Sequence, residues 1–160
     1  MLLYVIIPSQ MFLKFEIKPN KGDFMTVAVC ISDGGGMMFN KRRQSRDKTV
    51  IHDVLLCAGE RKVIVSQYSA SLFLEYESDI LSVANPLSEA KAGSFVFVED
   101  DSLLEYKKKI KEIYIYKWNR KYPFDLKLDF HPETEGMHLD ETVEFVGNSH
   151  EKITRELWKY

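Results

Sequence analysis

Arg42, Arg43, Arg46 and Lys48 crowd one short stretch of the chain, directly after Gly34, Gly35, Gly36 and Asn40. Guanidinium forks hold phosphate oxygens in pairs, and a glycine-rich turn or a helix start offers free backbone N–H groups to the same oxygens. Gly34, Gly35, Gly36, Asn40, Arg42, Arg43 and Arg46 are therefore the candidate ligand-binding set. The chemistry they offer is capture of a small anionic, phosphate-bearing ligand, a nucleotide or an RNA end. The competing reading is a solvated loop whose arginines pair with local acids such as Asp33 and Asp47. A small anionic ligand or an RNA end is expected before a long duplex, which needs many phosphate contacts, and nothing extends the cluster into a basic face.

Candidates for proton transfer are sparse. The histidines are His52, His131, His138 and His150. His150, at a turn and next to Glu151, has the type and setting of a general acid/base, and the alternative is an ordinary turn histidine. His52 lies in an amphipathic stretch, where a structural role is the default. Asp47 is a third candidate. His131 and His138 with Glu133, Glu135 and Asp140 have ligand chemistry for a divalent ion, but the segment reads as a polar loop, and no metal site is expected. Lys107, Lys108, Lys109 and Lys111 read as a solvated helix end. Tyr114, Tyr116, Trp118 and Tyr122 offer stacking beside Arg120 and Lys121, but alternation puts Tyr114, Tyr116 and Trp118 on one face of a strand, where packing is the simpler reading. No G-x-S-x-G, P-loop or H-E-x-x-H is present.

The elements that must position these groups are legible from periodicity. Residues 26–31 form a buried first strand. Asp47 or Ser45 caps a helix over 47–58, with Val50, Ile51, Val54, Leu55 and Ala58 at helical spacing and Gly59 as its stop. Strands follow at 62–66 and 80–84, with a short helix capped by Ser69 over 68–76 between them. Residues 95–98 form a buried strand, and a helix over 103–110 follows, capped by Asp100-Asp101-Ser102 and ending in lysines. Residues 113–116 form a further strand. Leu126, Leu128 and Phe130 alternate with Lys127 and Asp129 as a half-exposed edge strand. Residues 143–146 and 153–158 flank Gly147-Asn148-Ser149-His150 as an antiparallel hairpin. Strand–helix alternation closing on a hairpin predicts an α/β three-layer domain, its central sheet mostly parallel with a C-terminal antiparallel hairpin.

Residues 25–160 are expected to form that single domain, with 1–24 as an upstream extension outside the core. Lys21-Gly22-Asp23 can be encoded by a purine run resembling a ribosome-binding site, which would start translation at Met25; the alternative is an extra strand over 11–17. The 160 residues are 45% hydrophobic and carry 22 basic and 24 acidic side chains, a net charge of −2. That composition excludes wholesale disorder and a global field toward nucleic acid or membrane. No apolar run approaches the ~18 residues of a membrane helix. Cys30 and Cys57 lie in apolar surroundings, as reduced thiols of a cytoplasmic protein do.

The order of elements over 25–160 resembles that of the dihydrofolate reductases. Residues 94–125 carry the strand, turn, helix and strand, and Asn148-Ser149-His150 precedes the last strand of a closing hairpin. Gly35, Gly36, Met37 and Asn40 are similar to the mobile substrate loop, where Asp47 would match the acidic residue that contacts the pterin. The chain also resembles a small bacterial family carrying G-G-M-x-F-N-x-R-R-Q-S-R-D and S-H-E-K-I-T, whose members often bear a ribonuclease Z label. That label requires H-x-H-x-D-H, which is missing here. In the reductases a Gly-Gly turn lets the backbone approach the cofactor pyrophosphate; here Glu99, Asp100 and Asp101 stand at the matching positions and repel phosphate. Arg42-Arg43-Gln44 replaces the Trp-Pro part of the loop.

These observations lead to a reductase-like domain that has lost dinucleotide binding, uses no cofactor, and binds a small anion at the 34–46 loop. A small ribonuclease or nucleotide-processing enzyme using the same arginines with His150 or His52 is the alternative. An NADPH-dependent reductase is a distant third.

Overall fold

The computed structural model describes residues 2–6, 12–16 and 24–160; the Lys21-Gly22-Asp23 expectation lies outside them. β1 (Leu2–Ile6) and β2 (Phe12–Glu16) pair antiparallel with one another as a separate two-stranded sheet.

A seven-stranded mixed sheet organises the rest. Its strands are β3 (Met25–Ile31), β6 (Val63–Ser66), β7 (Ile80–Val83), β8 (Phe95–Phe97), β9 (Ile110–Lys117), β11 (His138–Phe145) and β12 (Ile153–Lys159), in the order β11-β12-β9-β3-β8-β6-β7. The five strands from β9 to β7 run parallel, and β12 and β11 add the antiparallel hairpin. β3 and β8 are buried on both faces, which is why they read as unbroken apolar runs. The predicted class, a mostly parallel sheet closed by a C-terminal hairpin, is the observed one.

Two apolar layers sandwich the sheet. On one face lies α1 (Lys48–Ala58), burying Val50, Ile51, Val54 and Ala58 against Ala28, Phe95, Phe97 and Tyr116. Tyr114, Tyr116 and Trp118 pack on this same face, as their alternation predicts. Cys30 and Cys57 remain free thiols.

The opposite layer departs from expectation. Residues 103–110 do not form a helix; only a 3-10 turn at Leu104–Tyr106 appears. The sheet takes the end of that segment. The Lys109 carbonyl accepts the Met25 N–H at 2.8 Å, and Ile110 opens β9. Irregular chain covers this face instead, through Leu103, Leu128, Phe130 and Met137. The alternation over 126–130 is real, but β10 (Leu126–Lys127) pairs with β4 (Gly36–Phe39) in a small sheet with β5 (Arg42–Arg43), not with the main sheet's edge. Leu128 and Phe130 then turn into the core.

The predicted 68–76 helix breaks in two. α2 (Gln67–Ala70) is capped by Ser66, not Ser69, and a 3-10 stretch, Ser71–Asp79, follows with non-helical backbone at Phe73 and Tyr76. Phe73 is fully buried, edge-on to Phe97 at 5.5 Å, and the Ser69 hydroxyl is taken by Glu99 at 2.7 Å. These tertiary contacts override the helical period. A last short helix, α3 (Pro86–Glu89), seats Leu87 in the second layer.

Candidate functional site

Asp47 is the N-cap of α1, and its carboxylate accepts the Thr49 N–H at 2.9 Å. Its other partners come from the far end of the chain. The loop between β11 and β12 folds over it, so that the Asn148 N–H donates at 3.0 Å, the Ser149 N–H at 2.9 Å and His150 Nδ1 at 3.1 Å. The Ser149 hydroxyl donates to the Arg46 carbonyl at 2.7 Å, and Asn148 Oδ1 accepts the Lys48 N–H. A Cβ on Gly147 would overlap the Asp47 carboxylate, so only glycine permits this approach. Asp47 is 2% exposed and His150 4%. Burial alone would push the Asp47 carboxyl up, but the N–H groups of Ser149 and Asn148, His150 and Thr49 outweigh it and hold it down at about 2.

The other side of His150 faces two hydroxyls. Nε2 lies 3.1 Å from Ser45 Oγ and 3.1 Å from Tyr122 Oη. The ring stacks on Trp118 at 4.6 Å and 23°. The carboxylate partner fixes the proton on Nδ1 and leaves the Nε2 lone pair toward the hydroxyls.

The three arginines do not converge on one pocket. Arg43 turns inward and makes a bidentate ion pair with Glu99, Nε–Oε1 2.9 Å and Nη2–Oε2 3.1 Å, with its guanidinium 4.3 Å from the Tyr68 ring centroid. The two side chains are 13% and 9% exposed. Its charge is thus balanced by an acid 56 residues away, neither Asp33 nor Asp47. Arg42 and Arg46 are without a carboxylate partner among the described residues. Arg42 and Arg43 line a groove of about 330 Å³ with Phe39, Asn40, Gln44 and Tyr122. Arg46 lines a separate cleft of about 320 Å³ with Lys48, on a floor of Ile51, Leu72, Leu74 and Tyr76. Behind it lies a space of only about 20 Å³ bounded by Cys30, Asp47, Glu99 and Trp118. Burial, then Glu99 and Asp47, push the Cys30 thiol well up.

Two of the glycines lie against an aromatic ring. Gly34 and Gly35 take positive φ, and the Phe124 ring lies against Gly34 and Gly36, where a Cβ on Gly36 would overlap it. Asn40 also has positive φ, in the β4–β5 turn, and its N–H goes to Asp125 at 2.9 Å. The start of α1 is likewise filled, by Asp47 and Asn148. His52 is exposed on α1, apart from this network. His131 and His138 are exposed too, and among the described residues no three His, Cys, Asp or Glu side chains gather as metal ligands. No helix among them is long and apolar enough to cross a membrane.

Beyond β8, Asp100 and Asp101 line a crevice of about 170 Å³ with Ser66, Asn85 and Pro86. Burial and the neighbouring charges of Glu99 and Asp101 raise the Asp100 carboxyl.

Comparison with known proteins finds this architecture in a solved enzyme. A dihydrofolate reductase from Enterococcus faecalis, solved with NADP(H) and RAB-propyl, superimposes with a TM-score of 0.60 at 8% sequence identity, over 86% of this chain and 96% of that one. The fold is dihydrofolate reductase-like. At that identity the likeness concerns the reductase fold and not its activity. No family model and no curated protein matches the sequence.

Ser45, Trp118, Tyr122, Gly147 and Asn148 complete the Asp47–His150 cluster, and sequence reasoning did not assemble them. The glycine before Asn148-Ser149-His150 was the available signal, since it marks a close approach of backbone to something.

Arg43→Ala leaves Glu99 buried and unpaired and is expected to cost about 3–5 kcal/mol of folding stability; exposed Arg42→Ala is expected to stay within about 0.5 kcal/mol. Urea denaturation of both variants checks this, and equal effects would contradict it. Asp47 adds a pH signature. Its carboxyl ionises at about 2 in the fold against 3.8 ordinarily, so the unfolded chain binds more protons between those values and stability rises with pH there. The stability difference between wild type and Asp47→Asn, measured by denaturation, is expected to be full above roughly pH 4 and to shrink toward pH 2. A pH-independent difference would contradict the assignment.

Proposed function

We propose that this reductase-like domain has given up dinucleotide binding and instead holds a small organic anion in the Arg46–Lys48 cleft. The supporting observation is the pairing of an apolar floor, Ile51, Leu72, Leu74 and Tyr76, with two cations at the rim, in a cleft of about 320 Å³. Leu74 is 67% exposed there, an apolar surface that a ligand's ring would cover. Two acids line the cleft: Asp47, whose carboxylate is taken up by the Thr49, Asn148 and Ser149 N–H groups, and Glu75, 3.9 Å from Lys48 Nζ and largely solvated. The ligand class is a molecule with a flat apolar body and a phosphate or similar group, held by the Arg46 fork.

Loss of the dinucleotide follows from charge. Glu99, Asp100 and Asp101 cluster at the turn after β8, and the one guanidinium near them, Arg43, is already committed to Glu99. A pyrophosphate brought there would meet two uncompensated carboxylates.

Phenyl phosphate is expected to raise the melting temperature of the wild-type protein, inorganic phosphate much less. The increase should vanish in Arg46→Ala/Lys48→Ala and persist in Arg42→Ala. Undiminished stabilisation of the Arg46/Lys48 variant would overturn the reading, as would tight retention of NADPH by the purified protein.

A further inference from the structure

The order of contacts Ser45 Oγ, His150 Nε2, His150 Nδ1, Asp47 Oδ2 places a hydroxyl, an imidazole base and a buried carboxylate in line, at 3.1 Å for each hydrogen bond. This is the connectivity by which a serine is activated, and such a relay is recognised by its geometry and not by position in the sequence. We propose that Ser45 is a nucleophile primed by His150 and Asp47, and that the chain hydrolyses small carboxylic esters.

Each part has a physical function. Asp47 stays ionised because backbone N–H groups stabilise its charge, so it can stabilise an imidazolium on His150. It also holds the imidazole in the Nδ1–H tautomer, while stacking on Trp118 fixes the plane of the ring. Ser45 is only partly buried and lies in irregular chain just before α1, whereas His150 is screened from water. Ser45 does not itself line a cavity, but the residue before it, Gln44, and the second hydroxyl on Nε2, Tyr122, both line the Arg42 groove of about 330 Å³, from which a small ester would approach.

In the acylation step Ser45 Oγ forms a bond to the ester carbonyl carbon as its proton passes to His150 Nε2. Once protonated, Nε2 no longer accepts from Tyr122, whose O–H is then free to donate to the oxyanion. Collapse breaks the bond to the alkoxy oxygen, and His150 returns the proton to the departing alcohol. A water molecule, deprotonated by the same nitrogen, then attacks the acyl carbon; collapse breaks the bond to Ser45 Oγ, which takes the proton back from His150 as the carboxylic acid leaves. Ester plus water gives acid plus alcohol, with no oxidant or cofactor.

The test uses the full chain with a fluorophosphonate probe and with p-nitrophenyl acetate. The expected result is one phosphonyl adduct, mapped to Ser45 by mass spectrometry, and p-nitrophenolate release that falls about a thousandfold or more in Ser45→Ala. Ser45→Ala should keep the wild-type melting temperature, which separates lost chemistry from lost folding. His150→Gln should lose labelling, whereas Ser45→Ala should still be stabilised by phenyl phosphate, so this proposal and the anion cleft succeed or fail separately. No adduct on folded wild type, an adduct on another residue, or undiminished release by Ser45→Ala would overturn it.

Discussion

One buried carboxylate holds the candidate site together. Asp47 caps α1, and the loop between the last two strands closes on it from more than 100 residues away. An ionised group at 2% exposure is tolerable only when its lone pairs are filled. Three backbone N–H groups and an imidazole fill them here. Removing the carboxylate would strip the buried His150 Nδ1 of its anionic partner, at a cost of about 1–3 kcal/mol. The position of His150, its stacking on Trp118 and its contact with Ser45 all follow from that anchor.

A buried ion pair governs the basic loop. Arg43 belongs to the densest run of positive charge in the chain, yet Glu99 neutralises it on the neighbouring turn. The groups at these strand ends thus bind one another. Fold and site vary independently in this way because the sheet depends on buried apolar faces, whereas the site depends on a few charges placed at loops.

Local patterns in the sequence were reliable where local interactions decide. The α1 cap, its buried face and its glycine stop were all legible, as were the buried strands and the closing hairpin. The helix expected over 103–110 failed because the β9 ladder, a tertiary contact, claims its end. The 68–76 helix failed because Phe73 and Ser69 have distant partners. Beside Gly34 and Gly36 the close neighbour is the Phe124 ring, and beside Gly35 it is the Lys127 side chain, contacts that spacing does not foretell. Asp47 and His150 were each legible as candidates. Their contact was not, since spacing carries no information about pairs this far apart in the chain.

Amide hydrogen exchange at Asn148 and Ser149 tests the anchoring most directly. Both residues sit in an exposed loop, where unanchored N–H groups exchange rapidly. With Asp47 as their acceptor they are predicted to exchange as slowly as the first turn of α1, and to lose that protection in Asp47→Ala while the β3 amides keep theirs. Fast exchange of these two amides in the wild-type protein, or protection that survives Asp47→Ala, would contradict the account.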